Sequence, residues 1–318
     1  FLALGTGILS SPKLSDYRTR IMEVIEDFTD RHGYVEYSKT FRLNRAICQI
    51  IDEADVAIQN YQWDLAQVIL DSIATSGEDI LYCGDDSAGE LGDILHYCFQ
   101  KWHELISDEF LPEDKKSELF ELFLTHFAEG CLKEFDWWWD WIQMAIQLAD
   151  DEEKQGRIIQ ELDKVINIKG DEWGINYNRQ VAQRHKLEIM SKRGTPEEQF
   201  KFMYENVSNP DFRRRLLQMA WDRGDYKEVL RLAVDGATHD SNYAGLVNDW
   251  HKWELKVYLQ THDHAGSLRL YQYFFFNGGR FGEEAYSMEN IYGQMKSIVL
   301  EDEWNDFVEI LIKDAVSS

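Results

Sequence analysis

Histidine, cysteine and carboxylate side chains close enough in sequence to share a ligand occur at three places. His262, Asp263 and His264 are consecutive, His96, Cys98 and His103 fall in one short stretch, and Asp79, Asp85, Asp86 and Glu90 surround Cys83-Gly84. A structural zinc ion needs four converging nitrogen or sulfur ligands, usually offered as two closely spaced pairs. Neither histidine group offers them, and the chain has no CxxC pair. Calcium wants an ordered oxygen series around a turn-making glycine, and the acidic stretch lacks the EF-hand order; helix capping accounts for it. Carboxylate runs such as Glu301-Asp302-Glu303 define no acid–base pair without a cleft or a shifted pKa, and no Walker-type or dinucleotide-binding glycine pattern occurs. The expectation is a noncatalytic protein with no cofactor and no metal. The alternative is a metal-dependent hydrolase on a helical scaffold, which elemental analysis distinguishes.

The most unusual stretch is Trp137-Trp138-Trp139-Asp140-Trp141. At about 100° per residue, Trp137 and Trp141 share one helix face and Trp139 points elsewhere. Either the helix is sandwiched between neighbours, or Trp138 or Trp139 anchors a partner. Tyr271, Tyr273, Phe274, Phe275 and Phe276 precede Asn277-Gly278-Gly279, which reads as a helix buried on several sides followed by its stop. Arg213, Arg214 and Arg215, with Arg223, form the one basic cluster and read as a solvated helix start.

These residues sit in a pattern of helices. Ile21, Val24, Ile25 and Phe28 recur at helical spacing between Asp16 and Asp30, with Gly33 as the stop. Tyr34, Val35, Tyr37 and Phe41 alternate as in a strand, yet Ile47, Ile50, Ile51, Ala54 and Ile58 continue a helical pattern, so the region reads mainly as a second helix. Ser87-Ala88-Gly89-Glu90 and Thr195-Pro196-Glu197-Glu198 match capping boxes, and Asn209-Pro210 opens another helix.

A repeat emerges when helix pairs are aligned on their turns. In Leu217 to Leu230 a helix ends at Gly224, Tyr226 covers the turn, and an apolar helix follows, a tetratricopeptide-like arrangement. Related turns stand at Tyr61-Gln62-Trp63, Glu134-Phe135-Asp136-Trp137 and His262-Asp263-His264, and Tyr226, His264 and Trp304 are spaced by 38 and 40 residues. Units of this kind stack to bury their helices and leave a curved surface. Tyr226 and His264 therefore join Trp138 and Trp139 as candidate partner-binding residues.

The 318 residues are 44% hydrophobic, enough for a substantial core, and include only 4 prolines. With 33 basic against 58 acidic side chains the net charge is −25. Up to Lys169 there are 15 basic and 34 acidic residues, and beyond it 18 and 24. Such acidity repels phosphate backbones and argues against direct nucleic-acid binding. Cys48, Cys83, Cys98 and Cys131 lie 35, 15 and 33 positions apart and read as buried free thiols of a cytoplasmic protein. No apolar run approaches the roughly 20 residues a bilayer requires, so no membrane association is expected. The opening Phe1 to Ser10 lacks a basic n-region and an initiating Met, which points to a processed or truncated chain.

Several short stretches, in this order, resemble the helical region that follows the zinc finger in bacterial SWIM-type zinc-finger proteins and related bacterial helical proteins. They are Arg31-His32-Gly33-Tyr34-Val35-Glu36-Tyr37, Asp85-Asp86-Ser87-Ala88-Gly89, Asn209-Pro210-Asp211-Phe212-Arg213 with Arg223-Gly224-Asp225-Tyr226, Ala244 to Trp250, and Glu303-Trp304-Asn305-Asp306-Phe307. The resemblance implies a tetratricopeptide-like superhelix with a noncatalytic, partner-binding role. The CxC and CxH pairs of the finger are missing from this chain, so zinc and DNA binding do not carry over. The resulting expectation is an all-α superhelix of antiparallel helix pairs, with an acidic lobe over 1–170 and repeats over 171–318, meeting near Ile168-Lys169-Gly170. Its expected role is to bind a protein or peptide, with the spacer arm of a multidomain nucleic-acid-associated protein as a further alternative.

Overall fold

Sparse proline and apolar residues at a period near 3.6 leave the chain one economical way to satisfy its backbone, and the protein is all-α. The computed structural model describes residues 13–170, 172–277 and 287–317, so Phe1 to Ser10 and the stop at Gly278-Gly279 lie outside the described residues. Among the described residues there are sixteen helices. The strand-like alternation at Tyr34–Phe41 yields one parallel bridge, in which Val35 N–H donates to the Cys83 carbonyl at 2.8 Å, before a helix starts at Tyr37.

The chain divides into two compact units, residues 1–189 and 190–318. The first holds α1 (Leu14–Phe28), α2 (Tyr37–Gln59), α3 (Trp63–Thr75), α4 (Gly77–Tyr82), α5 (Glu90–Ile106), α6 (Glu113–Glu129), α7 (Trp138–Leu148), α8 (Glu152–Ile166) and most of α9 (Trp173–Arg193). Its centre is aromatic. Trp102 of α5 meets Phe123 of α6 edge to face at 5.1 Å, and Trp141 of α7 meets Phe99 at 4.9 Å. Val181, Ala182 and Ile189 of α9 join this core, which carries the unit past the loop at Ile168-Lys169-Gly170.

The second unit holds α10 (Pro196–Glu205), α11 (Pro210–Asp222), α12 (Tyr226–His239), α13 (Ala244–Gln260), α14 (His264–Asn277), α15 (Met288–Ile298) and α16 (Trp304–Ser317). Tyr226, His264 and Trp304 are each the first residue of a helix, α12, α14 and α16. Thr195 and Glu198 form the expected reciprocal box, and the Asn209 side chain accepts from Asp211 N–H. The box expected at Ser87 and Glu90 does not form. The Asp86 carboxylate instead accepts from the amides of Leu91 and Gly92, at 2.7 and 3.2 Å, because a charged acceptor with two oxygens satisfies two orphan donors at once.

Four of the turns share one closure. A residue with positive φ ends the first helix at Tyr61, Gly130, Gly224 and His262, and the next amide reaches back five residues to a carbonyl. The bonds are Gln62 to Ala57, Cys131 to His126, Asp225 to Ala220 and Asp263 to Tyr258, all between 2.8 and 3.0 Å.

Candidate interaction surface

Trp138 and Trp139 are core residues, only 4% and 8% exposed. Trp138 stacks on Phe127 with ring centres 4.6 Å apart, and its Nε1–H donates to the Phe127 carbonyl at 2.8 Å. Trp139 stacks on His185 at 5.8 Å. Burial of both indoles corrects the expectation that either one anchors a partner: they close the seam of α7 with α6 and α9, so little of either ring remains for a second molecule.

Their neighbours behave differently. After Gly130, residues 131–137 run through consecutive turns, and Lys133 and Phe135 N–H groups donate to the Gly130 and Leu132 carbonyls. Leu132, at φ 63°, drops into the core, whereas Phe135 and Trp137 remain half-buried at the surface. Leu132 seats directly on Gly77, where a Cβ would stand 2.7 Å from Leu132 Cδ2. That close approach docks α4 against the turn run and sets Tyr82, 67% exposed, 5.6 Å from Phe135. Phe135 lies 6.2 Å from Trp137, and Asp136 Oδ1 accepts from the Tyr177 hydroxyl at 3.5 Å. Tyr177 in turn stacks on Trp173, which is 70% exposed, at 5.5 Å. Five rings thus line up on one unit as two contacting groups, Tyr82–Phe135–Trp137 and Tyr177–Trp173, linked through Asp136, and only Trp137 belongs to the run singled out in the sequence. Exposed aromatics clustered this way are typical anchors of binding surfaces.

In the second unit Tyr226 is half-buried and packs on Trp221 at 5.1 Å. The Lys256 ammonium stands over the rings of Trp221 and Trp253, at 3.9 and 4.5 Å. His264 is exposed at the rim of a groove of about 520 Å³ lined by Leu268, Ile298, Phe307 and Ile310 together with the carboxylates of Glu303 and Asp306. Of the four predicted partner residues, Trp138 and Trp139 are buried in the first unit, while Tyr226 and His264 of the second have different neighbours. Arg213, read as part of a solvated cluster, is buried: its Nη1 donates to the Leu232 carbonyl at 2.7 Å and its guanidinium lies 5.7 Å from the Trp250 ring centre. The aromatic stretch of α14 buries Tyr271 and Phe274 while Phe276 faces water, so this helix is covered on one side rather than all round.

A second concavity of about 480 Å³ lies between α12 and α14 over α13, lined by Thr238, His251, Glu254, Arg269 and Tyr273 among others. Glu254, 2% exposed, accepts from His251 Nδ1 at 2.8 Å, which fixes the imidazole. The Thr238 hydroxyl donates to the Val234 carbonyl of its own helix at 3.0 Å, so it is not held as a nucleophile for that histidine. Burial pushes the thiols of Cys48, Cys83 and Cys131 up to about 11, which keeps them protonated near neutral pH and poor as nucleophiles or metal ligands.

The ligand-type residues of the sequence are not brought together. Cys98 is buried with its thiol toward the Leu70 carbonyl, whereas His96 faces solvent. Among the described residues no three His, Cys, Asp or Glu side chains converge to hold a metal ion, and no helix is long and apolar enough to cross a membrane. No family model matches the chain, and neither do curated proteins or solved structures.

Proposed function

We propose that this protein is a noncatalytic helical scaffold that binds another protein or a peptide. The observation that supports the reading is the row Tyr82, Phe135, Trp137, Tyr177 and Trp173, rings left partly or largely in water on a unit whose core already buries several others. Aromatic side chains bring large contact area at low conformational cost, and in such a row they act together rather than singly. The partner-binding role moves from Trp138 and Trp139 to these neighbours. The groove beside His264 and the layer of Tyr226, Trp221 and Trp253 are secondary contacts of the same kind. The resemblance to the helical arm of SWIM-type proteins implies the same role, and four free cysteines suit a reducing, cytoplasmic setting.

The test compares the native chain with a Tyr82→Ala/Trp173→Ala double variant, both immobilised and exposed to a lysate of the source cell. Proteins held by the native chain and released by a variant of equal melting temperature are the expected outcome. Identical retention by the two removes the reading. Stoichiometric zinc, iron or manganese in purified protein would favour the hydrolase instead.

A further inference from the structure

This inference rests on the aromatic row being a docking surface and names the chemistry of what docks there. We propose that the row receives an arginine-rich segment of a partner protein.

Each exposed ring has carboxylates beside it. Glu78 and Asp79 precede Tyr82 by one turn of α4, Glu134 and Asp136 flank Phe135, and Glu172 precedes Trp173. All five acids are exposed, and none forms an ion pair among the described residues. Elsewhere on the same unit carboxylates do find cations: Arg157 with Glu121, Lys186 with Asp163, Lys101 with Asp55. At a smaller exposed aromatic cluster, Tyr61 with Phe110, Asp64 is held by Lys115 at 2.6 Å, and only Glu109 beside Phe110 stands without an ion pair among the described residues. Other exposed rings have a single such carboxylate, as Tyr37 has Glu36, whereas the row gathers five.

Two basic side chains near the row, Arg179 and Lys133, have other partners, while Lys169 is exposed. Arg179 donates to the carbonyls of Ile166, Ile168 and Gly170, at 3.2, 2.7 and 3.1 Å. Lys133 points its ammonium at the Trp138 ring, 5.3 Å from the centroid. Rings with carboxylates next to them in sequence suit the guanidinium group, which stacks flat on aromatic rings while its edges donate in pairs to carboxylates. A lysine ammonium is more strongly hydrated and lacks the planar fork, so it fits this surface less well. The unit carries 18 basic against 37 acidic side chains, a net −19, which raises the local concentration of any cationic segment.

The probe is a fluorescent peptide with arginine at every third position, offered to the full chain and followed by anisotropy at low and moderate salt. Versions with lysine or glutamate at those positions are the comparison. The Tyr82→Ala/Trp173→Ala variant removes two rings and no charge. Glu134→Gln/Asp136→Asn removes two charges and no ring, and Glu23→Gln/Asp27→Asn removes two charges on distant α1. We expect the arginine peptide to bind best, the ring variant to lose about fivefold or more in affinity, the local charge variant to lose a similar factor, and the α1 variant less than about twofold.

Two results would overturn the proposal. One is binding that responds equally to both charge variants and not to ring removal, the mark of a diffuse field. The other is a lysine peptide that binds as tightly as the arginine one. In either case a native-versus-variant difference in lysate capture would leave the docking surface standing and remove only its arginine chemistry. Loss of that difference as well removes both.

Discussion

The run from Trp137 to Trp141 holds three buried indoles and one, Trp137, left half-buried at the surface. Trp138→Ala should lose about 3–5 kcal/mol in denaturant unfolding, since a buried ring stacked on Phe127 leaves a cavity behind. Trp173→Ala, at an exposed ring, should stay within about 0.5 kcal/mol. Equal losses would mean that the surface row is structural. His185 makes a second residue-level case. Burial against Trp139 lowers its pKa below the usual histidine value, partly opposed by Glu188. The folded state then binds fewer protons than the unfolded chain, so stability contributed by the neutral ring is present above about pH 6.5 and is lost as pH falls through the depressed value. His185→Gln should flatten the stability profile over that window; an unchanged slope would place the acid sensitivity elsewhere. Face arithmetic on the sequence put Trp137 with Trp141, yet Trp137 stands just before α7, at the end of a turn run where the core stops. A helical wheel assumes a helix already begun, and no local spacing marks where Gly130 and Leu132 redirect the backbone.

At the scale of elements the turns give the sharpest test, because one backbone geometry is occupied by glycine at Gly224 and by a histidine at His262. A residue with a Cβ is disfavoured there, so His262→Gly should raise stability by about 0.5–1 kcal/mol and Gly224→Ala should lower it by about 1 kcal/mol. Thermal unfolding of both variants checks the pair, and opposite signs are required. Gly77 is held by space rather than by φ: Gly77→Ala would drive a methyl into Leu132, cost about 1–3 kcal/mol, and shift Tyr82 away from Phe135. The caps at Thr195 and Asn209 were legible because both partners lie within three residues of each other. The Ser87 box was misleading for the same local reason, since nothing in the pattern ranks a serine hydroxyl below the carboxylate one position on. Helix starts at Tyr226, His264 and Trp304 were legible from turn spacing, whereas the row of rings joins α4, the 131–137 turns and α9, segments far apart in sequence whose meeting depends on packing around Gly77 and Leu132.

At the scale of the molecule, the loop at Ile168-Lys169-Gly170 reads as a lobe boundary from its punctuation, while the first compact unit extends through Ile189 because α9 buries Val181, Ala182 and Ile189 in its core. The acidity legible in composition is concentrated there, with 37 carboxylates against 18 basic side chains. Two electrostatic effects of opposite sign follow. Surface ion pairs such as Arg20 with Glu53, at 2.6 Å, contribute about 0–1 kcal/mol each and act at contact distance, where salt screens them least. Repulsion among the surplus carboxylates acts over separations comparable to the Debye length, about 10 Å at 0.1 M salt, and is therefore screened first. Raising sodium chloride from about 20 mM to about 300 mM should accordingly stabilise the full chain by about 1 kcal/mol, or about 2 °C in melting temperature. Differential scanning calorimetry decides between the effects: a fall in melting temperature over that range would mean that the contact pairs outweigh the carboxylate excess, and the field that gathers a cationic segment would be correspondingly weak.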